Sequence, residues 1–143
     1  MDLQFQLPKD DIKYLKALVE QGHKVRAINY NGKYWLLISD WPLSSGYTID
    51  RVNVAIEIRP GYPDTELDMP YFNPHIHRSD GILIPQTQVR EQIDGIDYQR
   101  WSRHRSSGNI SWRPGLDCIR THLIYIDSWF KREFKQRPIG RIA

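Results

Sequence analysis

The residues from Arg100 to Gly115 combine more potentially reactive side chains than any other part of the chain. This stretch, RWSRHRSSGNISWRPG, holds four arginines, four serines, two tryptophans and one histidine, with no acidic residue. Ser102 and His104 are two positions apart, so a hydroxyl nucleophile could stand beside a base. Arg103 between them could donate hydrogen bonds to a carbonyl oxyanion. The stretch is therefore a candidate for part of an active site.

Two other interpretations of the same stretch stay open. Trp101 and Trp112 could fill the edge of the core, while the arginines pair with acidic residues and residues 106–111 form a flexible loop. Alternatively, arginines interleaved with tryptophans could contact phosphates and stack on bases, as in a small nucleic-acid-binding domain. No nucleic-acid-binding signature is present, and the acidic first two thirds of the chain would repel a polyanion. A nucleic-acid partner is therefore disfavoured.

His75 and His77 form an H-x-H pair. In an extended segment both rings would point to one side, a spacing that suits two metal ligands. Zinc needs a third or fourth ligand, and no other histidine or cysteine stands at a recognised spacing. We therefore expect no metal and no cofactor. One of the pair could act as an acid, a base or an oxyanion donor, and the alternative is a structural role.

Cys118 is the single cysteine, so an internal disulfide is impossible. On a continuous helix His122 would share its face, and an imidazole beside a thiolate activates cysteine nucleophiles. Free cysteines are more often small buried hydrophobes, and we favour that role here.

Hydrophobic periodicity predicts the elements that must position these residues. Residues 7–24 have apolar positions at helical spacing with a stop at Gly22, which predicts a helix. Two strand-like runs then meet at Asn31-Gly32, the pair that a type I′ hairpin prefers. Residues 51–59 alternate as a half-buried strand does. Residues 66–74 could form a fourth strand, which Pro70 would confine to an edge.

Residues 74–114 show little regular structure, and long irregular stretches in compact domains are usually functional. A second helix is expected from near Pro114 to Pro138, with one apolar stripe of Leu116, Ile119, Leu123, Ile126, Phe130 and Phe134. The sequence therefore predicts one α+β domain over residues 1–143.

Composition limits the class of protein. The 143 residues are 40% hydrophobic and 26% charged, which suits one globular domain. Residues 1–97 carry 10 basic against 14 acidic residues, and residues 98–143 carry 10 against 3, so the +3 net charge conceals a basic last third. Such asymmetry is typical of a chain with an acidic partner, either a nucleic acid or an acidic protein face, and equally of a solvated basic helix. We find no signal peptide or membrane-length apolar run, so a cytoplasmic protein is expected.

The order of elements, with certain motifs within it, resembles the ubiquitin-conjugating (E2, UBC) fold. GYPDTELDMPYF is similar to that family's Tyr-Pro segment, and FNPHIHRSDGILIP occupies the place of its turn and flap. SWRPGLDCIRTHL supplies Trp112 and Pro114 of a Trp-x-Pro motif before the second helix. Together these motifs also resemble prokaryotic E2 family E. The resemblance implies an N-terminal helix, a four-stranded antiparallel meander, an irregular active-site segment and a C-terminal helix.

The resemblance also implies partners and a function. The partners would be a ThiF-like E1 activating enzyme, a ubiquitin-like modifier and a JAB-type protease, in a bacterial conjugation system for which antiphage defence is one setting. The chain would position the modifier's C-terminus for transfer. The alternatives are a catalytically inactive E2-like scaffold and the nucleic-acid-binding domain considered above.

One departure from the family puts the mechanism in doubt. The family's nucleophilic cysteine lies shortly after the flap glycine, but Gly81 is followed here by Ile82, Leu83, Ile84 and Pro85. The His-Pro-Asn triplet is replaced by Asn73-Pro74-His75. The implied catalytic candidates are His77, His104, Ser102 and Cys118, and the implied groove-lining residues are His75, Asp80, Trp101, Arg103 and Trp112.

Overall fold

The computed structural model describes residues 1–105 and 111–140 of the chain. Most of the loop predicted over residues 106–111 therefore lies outside the described residues. The elements in chain order are β1 Asp2–Leu3, α1 Lys9–Glu20, β2 Val25–Tyr30, β3 Lys33–Pro42, β4 Arg51–Glu57, β5 Pro70–Asn73, β6 Arg90–Ile93, β7 Ile96–Arg100 and α2 Ile119–Gln136. The α+β prediction is confirmed.

Strands β2 and β3 form the predicted hairpin. Tyr30 pairs with Lys33 across a two-residue turn. Asn31 and Gly32 have φ angles of 50° and 76°, the pair of positive values that a type I′ turn requires. Strands β3, β4 and β5 follow in order, each antiparallel to the one before it.

The sheet is larger than the predicted four strands. Its order is β1-β2-β3-β4-β5-β7-β6, and β1 pairs parallel to β2, which makes it mixed. The prediction of little regular structure over residues 74–114 was wrong, because β6 and β7 form a hairpin there. Asp94 and Gly95 form its turn with φ angles of 53° and 76°. The Asp-Gly pair was a turn signal that we did not use.

Strand β5 is internal, and its prediction as an edge strand was wrong. It pairs with β4 on one side and with β7 on the other. Pro70 is tolerated because it is the first residue of the strand, where a missing N–H costs least. Its carbonyl oxygen still accepts a 3.0 Å hydrogen bond from the backbone N–H of Trp101.

Helix α1 ends as predicted, with Gly22 just beyond it at φ +102°. Helix α2 begins at Ile119, five residues later than expected, because Cys118 has the extended backbone of an N-cap residue. Leu116 therefore precedes the helix and is exposed rather than part of the apolar stripe.

Apolar side chains lie on both faces of the sheet. Along β4, Val52, Val54 and Ile56 belong to the main core, and Ala55 belongs to a second cluster on the opposite face. The main core also contains the buried residues of α2: Ile119, Leu123, Tyr125, Ile126, Trp129 and Phe130. One face of the sheet is therefore covered by the helices, and the chain between β5 and β6 crosses its end.

Candidate functional site

Residues 74–89, between β5 and β6, form what we call the flap segment. Gln99 on β7 anchors its start, because the side-chain carbonyl of Gln99 accepts a 2.9 Å hydrogen bond from the Ile76 backbone N–H. The Gln99 amide nitrogen donates to the Ile76 backbone oxygen at 3.3 Å. Trp101 Nε1 also donates to the Gln99 carbonyl, at 3.0 Å. One buried amide thus fixes the backbone that follows His75.

Arg78 anchors the middle of the flap segment to α2. Its guanidinium is fully buried and donates to both carboxylate oxygens of Asp80, at 3.0 and 2.6 Å. Its Nη1 donates to Glu133 Oε2 at 2.9 Å and to the Arg137 backbone oxygen at 2.7 Å. A buried charge is stable only when paired in this way. Asp80 is thus a structural partner of Arg78, and these bonds lower its pKa.

The same part of the flap pairs with the chain after β3. The Thr48 N–H donates to the His77 backbone oxygen at 2.9 Å, and the Ser79 N–H donates to the Gly46 oxygen at 2.8 Å. Gly46 has φ +108°, and a Cβ there would lie 2.5 Å from the Phe134 ring. Glycine is required at this position for both reasons.

A groove lies beneath the tip of the flap segment. The chain turns at residues 78–81, where Gly81 has φ +78°. Leu83, just after this turn, is 85% exposed. The groove has a volume of about 220 Å³ and is lined by Ile76, His77, Arg78, Gly81, Ile82, Leu83, Ile84, Thr87, Gln88, Arg90 and Gln99.

Of the two histidines of the H-x-H pair, His77 borders this groove. His75 instead bonds through Nε2 to Asp97 Oδ2, at 3.1 Å. The two histidines therefore have different surroundings. Within residues 1–105 and 111–140, no three His, Cys, Asp or Glu side chains converge as a metal site requires.

Ser102 and Arg103 border a second cavity, between the end of the flap segment and α2. The Ser102 N–H donates to the Gln86 oxygen at 2.9 Å, and Arg103 Nη1 donates to the Pro85 oxygen at 2.9 Å. These bonds hold the chain after β7 against the flap segment.

His104 points to a different partner. Its Nδ1 lies 2.8 Å from Asp68 Oδ2, and its side chain is 46% exposed. A carboxylate that orients an exposed imidazole is the arrangement of a general acid–base pair. Asp68 was not among the predicted site residues. The structure thus places His77 at the groove, Ser102 and Arg103 at the second cavity, and His104 beside Asp68. The other predicted residues, His75, Asp80, Trp101, Trp112 and Cys118, border neither the groove nor the second cavity.

His122 cannot activate Cys118. Its Nε2 donates to the Asp68 backbone oxygen at 2.7 Å, and its Nδ1 accepts from Arg105 Nη2 at 2.9 Å. Burial, and then the Arg105 charge, lower the pKa of His122 to about 3. Both ring nitrogens are therefore engaged in a neutral imidazole.

Cys118 is half-buried and precedes α2 instead of lying on it. Its backbone N–H donates to the Thr121 hydroxyl at 2.9 Å, and its side chain accepts from the Thr121 backbone, as in a capping box. The next residue, Ile119, donates its N–H to Asp11 at 3.2 Å. Cys118 thus belongs to the junction between the two helices.

The two tryptophans of the basic stretch are structural. Trp101 is fully buried, with its ring against Phe72 and Phe130. Trp112 is half-buried and donates from Nε1 to the Pro63 oxygen at 2.8 Å. A fully buried Trp101 cannot stack on a nucleic-acid base.

Glu133, Arg78 and Gln99 anchor the site, yet sequence reasoning did not identify them. A charged Glu133 three positions after the buried Phe130 places a carboxylate on the apolar side of α2, and that was a usable signal. Gln99 is a buried polar residue on a strand that we did not predict.

The comparisons with known proteins agree with this architecture. The model of the family described as prokaryotic E2 family E matches residues 7–133. Neither the curated proteins nor the solved structures include one that matches the chain. Within the described residues, neither helix combines the length and the apolar character that crossing a membrane requires. The match covers most of the sequence, and the chain therefore belongs to prokaryotic E2 family E.

Proposed function

We propose that this protein acts in a bacterial ubiquitin-like conjugation pathway, where it binds a ThiF-like E1 and a ubiquitin-like modifier. In this proposal, the groove under the flap segment receives the modifier's C-terminal tail and positions it for transfer. Family membership supports the E2-like role. The exposed Leu83 beside the groove is the observation that carries the proposal, because it stands where the family's flap nucleophile is expected.

The groove suits an extended peptide tail. Its lining combines the apolar side chains of Ile82 and Ile84 with backbone groups of the flap segment. Gln99 fixes the start of the flap segment and Arg78 fixes its middle, so the groove is formed before a ligand arrives. A preformed groove loses little conformational entropy on binding.

The flap residues cannot form a thioester with the modifier. None of the residues from Gly81 to Pro85 carries a nucleophilic side chain. We therefore propose that the protein holds the tail without a covalent bond at the flap. An oxyester on Ser102 is the covalent alternative, because Ser102 borders an open cavity beside Arg103.

Two histidines are proposed to serve the transfer. His77 borders the groove and can donate to the carbonyl oxygen of a bound tail. His104, oriented by Asp68, has the geometry of a proton acceptor for an attacking group. We assign a role in the reaction to each as part of the proposal.

Helix α1 is the proposed contact for the E1. Its outer face carries a shallow apolar depression of about 710 Å³, bordered by Ile12, Ala17 and the lysines Lys13 and Lys16. Reversing the charge with Lys13→Glu and Lys16→Glu should weaken E1 binding and leave modifier binding unchanged. A JAB-type protease is proposed as a further component of the same system.

Binding of the modifier tests the proposal directly. Calorimetry should detect saturable binding of the full-length modifier, and removal of the modifier's last four residues should weaken that binding at least about tenfold. Equal affinity for the truncated modifier would overturn the tail-binding proposal. Tight binding to DNA that weakens steeply with salt would instead support the nucleic-acid alternative.

A separate assay tests whether the modifier forms a covalent bond with the chain. The chain is mixed with its E1, modifier and ATP, and the products are run on a non-reducing gel. We expect no adduct on the wild-type chain. A base-sensitive adduct lost in Ser102→Ala would establish the oxyester. A reductant-sensitive adduct lost in Cys118→Ala would contradict the structural role of Cys118.

A further inference from the structure

The second cavity, beside Ser102, has an unusual balance of charge. It has a volume of about 270 Å³ and lies between the end of the flap segment and the last two turns of α2. Three arginines line it, Arg103, Arg132 and Arg137, against a single carboxylate, Glu133. The side chains around it therefore carry a net charge of about +2.

The one carboxylate already accepts three hydrogen bonds. Glu133 Oε1 accepts from Arg137 Nη2 at 2.5 Å, and Oε2 accepts from Arg137 Nε at 3.0 Å. Oε2 also accepts from Arg78 Nη1 at 2.9 Å, behind the cavity. Because Glu133 is buried, its two oxygens have little capacity for further donors.

Arg103 and Arg132, which both line the cavity, consequently have unmet donors. Arg103 Nη2 is inaccessible to solvent and makes no hydrogen bond within the described residues. It lies 3.7 Å from Glu133 Oε1, beyond hydrogen-bond length. Arg132 has no ion pair or hydrogen bond within residues 1–105 and 111–140, and it is only half-exposed. Leaving charged donors unpaired at a partly buried site is costly.

An oxyanion would satisfy these donors. A guanidinium presents a planar fork of N–H groups that matches carboxylate and phosphate oxygens. The Ser102 hydroxyl and the Gln86 amide, which also line the cavity, can add neutral hydrogen bonds. The volume is several times that of a water molecule in the liquid, so a carboxylate or phosphate group fits.

We propose that this cavity is a binding site for a small oxyanion, either a carboxylate or a phosphate group, held between Arg103 and Arg132. The site is separate from the groove under the flap tip, which is the part of the molecule that the proposed function requires, and the titrations that test the site need neither the E1 nor the modifier. The proposed function therefore stands or falls independently of this site.

Calorimetric titrations with three probes test the proposal at constant ionic strength. The probes are inorganic phosphate, glycylglycine with its free carboxylate, and glycylglycinamide, which lacks that charge. We expect saturable binding of phosphate, of glycylglycine or of both, and none of the amide. Binding of phosphate alone assigns a phosphate-bearing ligand, and binding of glycylglycine alone assigns a peptide carboxyl terminus.

Two variants of α2 provide the matched comparison. Arg132→Gln removes a charge that faces the cavity and should weaken binding about tenfold, as expected for loss of one charge-assisted contact. Lys135→Gln removes a charge from the exposed side of the same helix and should change affinity less than about twofold. Absence of saturable binding, or equal weakening in both variants, would overturn the proposal.

Discussion

Replacement of His122 should change how the protein's stability depends on pH. The imidazole is buried and neutral, and its pKa is lowered from 6.5 to about 3. Between these two values the unfolded chain binds one more proton than the folded chain. The free energy of unfolding therefore falls as the pH falls through this window, and the stabilisation is complete only above pH 6.5.

The size of the effect follows from the two pKa values. Integrating the difference in bound protons gives a loss of about 2 kcal/mol for the wild type between pH 7 and pH 5 from His122 alone. His122→Gln removes this titration. The variant should be less stable at pH 7 by about 1–3 kcal/mol, because the Arg105 guanidinium and the Asp68 carbonyl oxygen lose partners. Its stability should nevertheless change less between the two pH values.

Urea denaturation at pH 7 and pH 5 measures both the free energy of unfolding at pH 7 and its loss at the lower pH. The pH-dependent loss should be about 2 kcal/mol smaller in His122→Gln than in the wild type. His77→Gln removes an exposed imidazole and should follow the wild type. An equal pH-dependent loss in His122→Gln and the wild type would refute the buried, neutral assignment, and would reopen the pairing of His122 with Cys118.

Two further substitutions test how the flap segment is held. Gly46→Ala should lower the free energy of unfolding, measured by urea denaturation, by about 1–3 kcal/mol more than Gly22→Ala does. Both glycines have positive φ angles, but only a Cβ at Gly46 would collide with Phe134. Equal losses in the two variants would contradict this close approach. Gln99→Leu should speed hydrogen exchange of the Ile76 N–H at least about tenfold, because its acceptor is lost. Gln92→Leu, at an exposed position on β6, is the control and should leave that exchange unchanged.

Elements of the fold could be predicted where the local sequence pattern agrees with the burial of its side chains. The Asn31-Gly32 turn and the alternation along β4 each specify one structure, and both occur as expected. Strand β6 was missed because Arg90 and Gln92 give it no apolar pattern, as expected for an edge strand with charged side chains. The start of α2 was predicted too early because proline is common both at the first position of a helix and in turns, and Pro114 lies in a turn.

The site was predicted less completely because its anchors act over long sequence separations. Glu133 meets Arg78 across 55 residues, and His104 meets Asp68 across 36. Nothing in the local sequence indicates which carboxylate will meet which base. The resemblance to E2 proteins predicted a flap within residues 72–85, but it carried no information about the pairings that hold this part of the chain.

A cysteine placed in the flap tests the central claim most directly. The claim is that the groove beneath the flap tip receives the modifier's tail, so Leu83→Cys should capture that tail as a thioester. The variant is made with Cys118→Ser, which removes the native thiol and keeps a good N-cap residue. Leu116→Cys, at another exposed leucine, is the control because it lies outside the groove.

Both variants are incubated with the E1, the modifier and ATP and analysed on non-reducing gels. The E1–modifier thioester in the same lanes shows that the mixture is active. The account predicts a reductant-sensitive adduct with Leu83→Cys and none with Leu116→Cys. No adduct with Leu83→Cys, or equal adducts with both variants, would contradict it.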